Sequence, residues 1–415
     1  MLGRFGFDLL EYVTMSSVQF DAYDPAFVAD PYPTYARLRE AGPFFDDHWR
    51  VTFFARHADV TAMLRDKRFG RDIRHVLAPN EVDHRSYPVH LTNWYRFIRG
   101  SFIDLEPPEH TRIRGAVKQP FARSRAEARR GEIERLANRL LDEVIDQGRM
   151  EVIADFATPI PIAVVAQLMG IPDSDHRLLL DWSHAIVKVF DVNVTPVEEQ
   201  AAESAVTEFA DYIRAIVGER RHNPGEDLIS ELATADDPLS DDDLVATCIL
   251  VLNAGHEATV HGIGNGVLAL ARNPDQFALF RTGAAADAAT EELLRYDTPL
   301  QMFERWVLED LDWAGVRLTP GDKVGLLYGS ANHDPGVFES PERLALDRTS
   351  NPHVSFALGT HFCLGAPLAR VELQAAFATL AKRLRNLRLA VPEPPRHASL
   401  VFRGVTELEV EFDPA

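Results

Sequence analysis

Cysteine is nearly absent: Cys248 and Cys363 are the only two in 415 residues. Two thiols cannot build a disulfide framework, and this usage points to a reducing, cytoplasmic setting. Long hydrophobic runs are missing as well. The longest apolar stretch, around Cys248–Leu252, is far short of the ~20 residues that cross a bilayer, so no membrane association is expected. Positive charge is in deficit, with 43 Lys and Arg against 63 Asp and Glu and a net charge of −20. A phosphate-binding face needs the opposite balance, so nucleic acid is not expected as a partner. The local exception is Arg112, Arg114, Lys118, Arg123 and Arg125, a basic cluster that fits a solvated helix face as well as a docking surface. Repeats and low-complexity linkers are lacking, apart from the short Ala284–Ala289 tract. Although the length allows two or three domains, no boundary divides the chain. Residues 1–14 are mildly amphipathic, but Arg4, Asp8 and Glu11 interrupt any signal-peptide core.

What is present is helix. Hydrophobic residues make up 46% of the chain, and their spacing predicts helices over Pro33–Ala41, Asp59–Asp66, Pro108–Phe121, Ala126–Gln147, Pro161–Met169, Asp173–Val189, Val197–Arg221 and Asp227–Thr234. The longest is expected from Ser240, with Asp241–Asp243 as a capped acidic first turn, to about Ala271, where Asn273-Pro274 ends it. Two more cover Ala285–Tyr296 and Ala366–Arg385. Strand patterns are fewer: Arg50–Phe54, Phe303–Leu308, Val316–Leu318, Lys323–Leu327 and a final hairpin over Ser399–Phe412. Two irregular stretches, Phe69–Asp104 and His333–Phe356, exceed ordinary loop lengths, which usually marks function.

The stretch from Phe356 to Gly365, F-A-L-G-T-H-F-C-L-G, carries the chemistry. Pro367 suits a first helical turn, where its missing N–H has no partner to lose. Cys363 is therefore expected at a helix N-terminus, a setting that favours thiolate. Gly359 and Gly365 allow turns closed to other residues and let a flat ligand approach. A thiolate below a flat apolar site is what a haem iron takes as axial ligand, whereas an isolated buried cysteine is usually structural. This string resembles the cysteine-ligand loop of the cytochrome P450 family of haem-thiolate monooxygenases, and the resemblance runs from about Phe20 to Phe412.

The resemblance implies a mainly α fold with a large helical body and a smaller β-rich portion. It implies haem b (iron protoporphyrin IX), with Cys363 as the metal ligand and Gly365 beside it. The activity implied is insertion of one oxygen atom from O2 into a hydrophobic small molecule, by hydroxylation or epoxidation. Electrons are expected from a separate ferredoxin or flavodoxin with its reductase, and the basic cluster is a candidate docking face. Residues 15–415 would form one haem domain, with 1–14 an extension and Met15 an alternative start.

Further segments acquire roles from the same resemblance. Glu292 and Arg295 lie three apart on one helical face and, with Arg343, would form a buried ion-pair network bracing the cysteine loop. His110 and Arg114, at i and i+4, would hold the haem propionates together with Arg305 and His361. His256-Glu257 looks like the start of a zinc-protease motif, but the next histidine, His261, falls at i+5 rather than i+4, and that possibility fails. Asn253-Ala-Gly-His-Glu-Ala-Thr259 instead resembles the family's oxygen-binding segment A-G-x-[DE]-T. Glu257 is the expected catalytic acid, Ala258 stands where the family has threonine, and Thr259 lies about 100° round the helix. The missing hydroxyl is expected from the substrate or from an ordered water near Glu257. Substrate contacts are expected from Leu250, Asn253 and Ala254 in the long helix, Leu300 and Phe303 after Pro299, and Val401 and Phe402 in the final hairpin. Ala357 stands where the family often has glycine, which predicts a more ordinary backbone angle there. His333 replaces a frequent arginine and is expected to matter little.

Overall fold

The computed structural model describes residues 20–78, 90–190, 194–283 and 286–415. The 1–14 extension and the middle of the Phe69–Asp104 stretch lie outside the described residues.

The centre of the molecule is the helix Asp241–Arg272, of 32 residues, about 48 Å long. Ser240 accepts the Asp243 N–H at its start, and three aspartates in the first turn oppose the helix dipole. Asn273 ends it, and Pro274 opens the next helix, Pro274–Arg281, in its own first turn. The sequence marks Pro274 as a stop, and the same residue acts as a start. The helices Pro159–Met169, Pro196–Arg220 and Ala366–Arg383 pack on this long helix. Gly266 lets the last of them approach: a Cβ there would stand 2.3 Å from the Phe377 ring.

The strands are β1 (Phe44–Asp46), β2 (Val51–Phe54), β3 (Phe69–Gly70), β4 (Arg149–Glu151), β5 (Met302–Val307), β6 (Leu311–Trp313), β7 (Val316–Leu318), β8 (Lys323–Leu327), β9 (Leu384–Leu389) and β10 (Glu409–Pro414). The main sheet has the order β1-β2-β8-β5-β3, with β2 and β8 parallel. The final hairpin is corrected. The chain turns back on itself earlier, through an antiparallel bridge between Arg396 and Val405, and β10 joins β9 and β4 rather than residues 399–405. β9 was hidden because the helical pattern of Ala366–Arg383 runs into it, and Leu384 turns extended, at φ −114°. Among the described residues no helix is long and apolar enough to cross a membrane.

Candidate active site

Cys363 sits where the loop from His353 meets the helix Ala366–Arg383. Its N–H donates to the Phe356 carbonyl at 2.9 Å, closing the loop. Gly359 has φ +72°, and a Cβ there would lie 2.2 Å from the Leu64 carbonyl oxygen. Gly365 differs: its φ of −78° is ordinary, and a Cβ would stand 4.0 Å from Cys363 Sγ, so it leaves room at the sulfur rather than making a turn. The Gly365 and Ala366 N–H groups face the sulfur, with Arg114 and Arg370 nearby. Burial nevertheless outweighs them and raises the thiol above its ordinary value. A coordinating cation at the sulfur would favour the thiolate against that burial. Ala357 also departs from expectation, adopting φ +55° in the left-handed region despite its Cβ. Its N–H is held by the Val354 carbonyl at 2.8 Å.

The loop is braced by buried charge. Arg295 donates to Glu292 through Nε at 2.7 Å and Nη2 at 2.8 Å, both side chains fully buried. The third member is Arg348, whose Nε lies 3.0 Å from Glu292 Oε2. Arg343 is corrected: its side chain is exposed, and it offers only its carbonyl to Arg295 at 3.1 Å. The two arginines are five residues apart on an irregular segment, where spacing carries no facing rule. A second brace was missed. Glu291 binds His353 at 3.0 Å and Arg370 at 2.7 and 2.8 Å. Burial would raise Glu291, but these partners hold it down to about 2. His333 is another correction. It is buried, stacks on Tyr32 at 3.8 Å and contacts the Tyr296 carbonyl at 2.8 Å; burial lowers it to about 3.

Beside the loop lies a group of donors whose bonding capacity is only partly used. His110 is buried, and neither ring nitrogen has a partner; burial lowers it to about 4. Its ring centre is 4.5 Å from that of His361, whose Nε2 stands 3.6 Å from Glu106. Arg305 on β5 is buried, and its Nη1 donates to the Glu304 carbonyl at 2.9 Å. Among the described residues no carboxylate pairs with it. Neighbouring Arg71, by contrast, is tied to Asp104 at 2.5 Å and to the Glu304 carbonyl at 2.7 Å. Arg114 donates to the Phe362 carbonyl, so it clamps the cysteine loop. A buried guanidinium without a counter-charge is costly, and buried ring nitrogens normally find partners. The set fits acidic groups carried by a ligand.

Near its middle the long helix opens on one side. Ala254 is exposed and Ala258 half-buried in the middle of an otherwise buried helix; with Leu250 they recur every four residues on one face. Gly255 points elsewhere: a Cβ there would meet Val165 at 2.8 Å, so its smallness admits a neighbouring helix. Thr259 is buried, and its hydroxyl faces the Gly255 carbonyl at 3.5 Å. Asn253 Oδ1 is buried without a partner. Glu257 lies 3.2 Å from His256, 3.5 Å from His261 and 4.0 Å from His184. Burial pushes its carboxyl up, but these histidines bring it to about 2. Leu300 and Phe402 pair through a β-bridge, and the Phe303 ring lies 4.2 Å under Arg71. Val401 packs elsewhere, against the cluster containing Phe27, Tyr35 and Leu400.

The cytochrome P450 family model matches residues 176–281 and 285–405. The chain is 34% identical over 412 residues to the polyketide biosynthesis cytochrome P450 PksS of Bacillus subtilis (strain 168), covering 96% of this chain and 100% of that protein. It is 37% identical over 400 residues to nocardicin C N-oxygenase of Nocardia uniformis subsp. tsuyamanensis, covering 92% and 96%. The solved structure of P450BioI in complex with an acyl carrier protein ligated to hexadec-9Z-enoic acid superposes with a TM-score of 0.87 at 31% identity, covering 94% of this chain and 99% of that one. This chain belongs to the cytochrome P450 family. It has the P450 fold and is a haem b monooxygenase acting on a small organic molecule with O2 and a redox partner.

Proposed function

We propose that Cys363 is the axial ligand and that this chain hydroxylates or epoxidises a hydrophobic small molecule. The observation that carries this is the Cys363 sulfur facing the Gly365 and Ala366 N–H groups, together with the buried His110 whose ring nitrogens have no partner and the buried Arg305 that no carboxylate pairs among the described residues. When bound, haem supplies oxygen activation, which thiolate donation favours. Arg305, His110 and His361 would hold its propionates, and Arg114 would add positive charge while fixing the Phe362 carbonyl. Glu292, Arg295 and Arg348 keep the loop in place, a structural role. Leu250, Ala254, Leu300, Phe303 and Phe402 wall the substrate, and Asn253 orients it through the unpartnered Oδ1. Glu257 holds the proton path. Because Ala258 has no hydroxyl and Thr259 turns to its own helix, a substrate hydroxyl or an ordered water completes that path.

Electrons come from a ferredoxin or flavodoxin with its reductase, in the cytoplasm, and residues 15–415 act as one haem domain. Arg112 is neutralised by Glu109 and Asp243, and Arg125 faces Glu231 at 3.6 Å. Lys118 and Arg123, both exposed, are left as the docking charges. Reversing both should slow reduction about tenfold at low salt; an unchanged rate removes them from the interface.

The central experiment is spectroscopic. Purified protein should carry haem whose absorption changes in Cys363→Ala, and a hydrophobic compound library should contain members that shift the wild-type spectrum. Those members should drive NADH oxidation and yield oxygenated product. Protein that takes up no haem, or unaltered absorption in Cys363→Ala, overturns the proposal.

A further inference from the structure

The cluster around Glu257 is larger than a proton path requires. His184 lies on the helix His176–Val187, and His256 and Glu257 on the long helix. One ring nitrogen of His184, one of His256 and one Glu257 carboxylate oxygen all fall within 4.8 Å of one another. Tetrahedral zinc, with bonds of about 2.0–2.1 Å, needs donors about 3.3 Å apart. The His256–Glu257 separation of 3.2 Å already meets that. The His184–Glu257 separation of 4.0 Å closes by a small side-chain movement, and His184, with 59% of its side chain exposed, is free to make it. His256, at 1% exposure, is fixed.

The two carboxylate oxygens are used differently. Oε1 faces His261 at 3.5 Å, while Oε2 faces His256 and His184. His261 is itself hemmed in, since a Cβ on Gly404 would lie 2.0 Å from its Nδ1. It therefore orients the carboxylate from behind, as an outer partner orients a metal ligand, and leaves Oε2 for the ion. Two imidazoles and one carboxylate, with entry past an exposed histidine, make a three-ligand set with a fourth position for water.

We propose that His184, His256 and Glu257 form a zinc site that joins the helix His176–Val187 to the long helix. Resting on the proposed role of Glu257, zinc there occupies the proton-path carboxylate, pins the two helices together and inhibits turnover reversibly. The geometry is independent of haem, so binding and inhibition are separable.

The test uses chelator-treated holoenzyme and zinc chloride. Calorimetry should find one zinc ion per chain, with affinity falling at least about tenfold in both His184→Ala and Glu257→Gln, since even outer partners account for that much. Zinc should raise the wild-type Tm, with little effect on His184→Ala. Wild-type protein that binds no zinc in the micromolar range, or variants that bind as tightly as wild type, overturns the site. Substrate-driven NADH oxidation should fall with zinc in wild type, recover with EDTA and resist zinc in His184→Ala. Tight site-specific binding without inhibition leaves the zinc site standing and overturns the inhibitory role and the assignment of Glu257 to the proton path together.

Discussion

The two faces of the site are built on opposite plans. In the brace behind the cysteine loop the charged groups are densely matched. Glu292 takes contacts from Arg295, Arg348, Asn351 and the Ala345 N–H, and Asn332 joins the Val354 N–H to the Ser355 hydroxyl. On the long helix groups are left uncommitted, with Asn253 Oδ1 and Thr247 Oγ1 buried and without partners. A ligand atom that must not move is held by an over-determined shell, because partly satisfied buried charge is costly. A surface that must accept an outside molecule keeps its bonding capacity open.

The sharpest way to break this contrast is Glu292→Ala. It strands two buried guanidinium groups and should cost about 3–5 kcal/mol, seen as a lower denaturation midpoint with loss of bound haem. Arg343→Ala should stay within ~0.5 kcal/mol, as an exposed side chain does; equal losses in both would restore Arg343 to the brace.

Glu372, in the cysteine helix, tests whether matching there is complete. It is buried with Oε2 unpartnered, and burial raises its carboxyl to about 8. In the fold the neutral form persists up to about 8, so stability is lost as pH rises from the ordinary carboxylate range to about 8. Glu372→Gln should therefore be close to neutral at pH 4 and stabilising by ~1–3 kcal/mol at pH 8 and above, measured by denaturation across pH. A gain independent of pH would show that Glu372 is already ionised in the fold.

Ala357→Gly should relieve the left-handed φ of +55° and stabilise by about 1 kcal/mol. On the opposite face, Ala258→Thr should change stability by under ~0.5 kcal/mol, because its surroundings are open. Its effect lies in coupling, read as hydrogen peroxide released per NADH with the true substrate. If a substrate hydroxyl completes the proton path, added threonine leaves that ratio nearly unchanged; a sharp improvement excludes substrate assistance.

Legibility followed the same division. The cysteine loop, the His110–Arg114 spacing and the extent of the long helix were readable because they are local: a cap, a period or a fixed string. Pairing across distance was not. Arg348 and Arg343 look alike in an irregular segment, and only packing against Glu292 separates them. Glu291, beside Glu292, carried no signal for its bonds to His353 and Arg370. Val401 faced away from its neighbour Phe402 because strand side chains alternate, and the register of an isolated bridge cannot be read in one sequence. The helical pattern running past Arg383 concealed β9, and with it the true partner of β10.

The sequence by itself determined the family, the helical body and the missing hydroxyl at Ala258, and it singled out the cysteine loop, since these depend on residue identity at fixed short spacings. Tertiary structure alone decided which arginine braces the loop, that Ala357 takes a glycine-like angle, that burial outweighs the helix N-terminus at Cys363, and that three histidines converge on Glu257. Each of those depends on distances between segments far apart in the chain, and on the loss of water that brings them together.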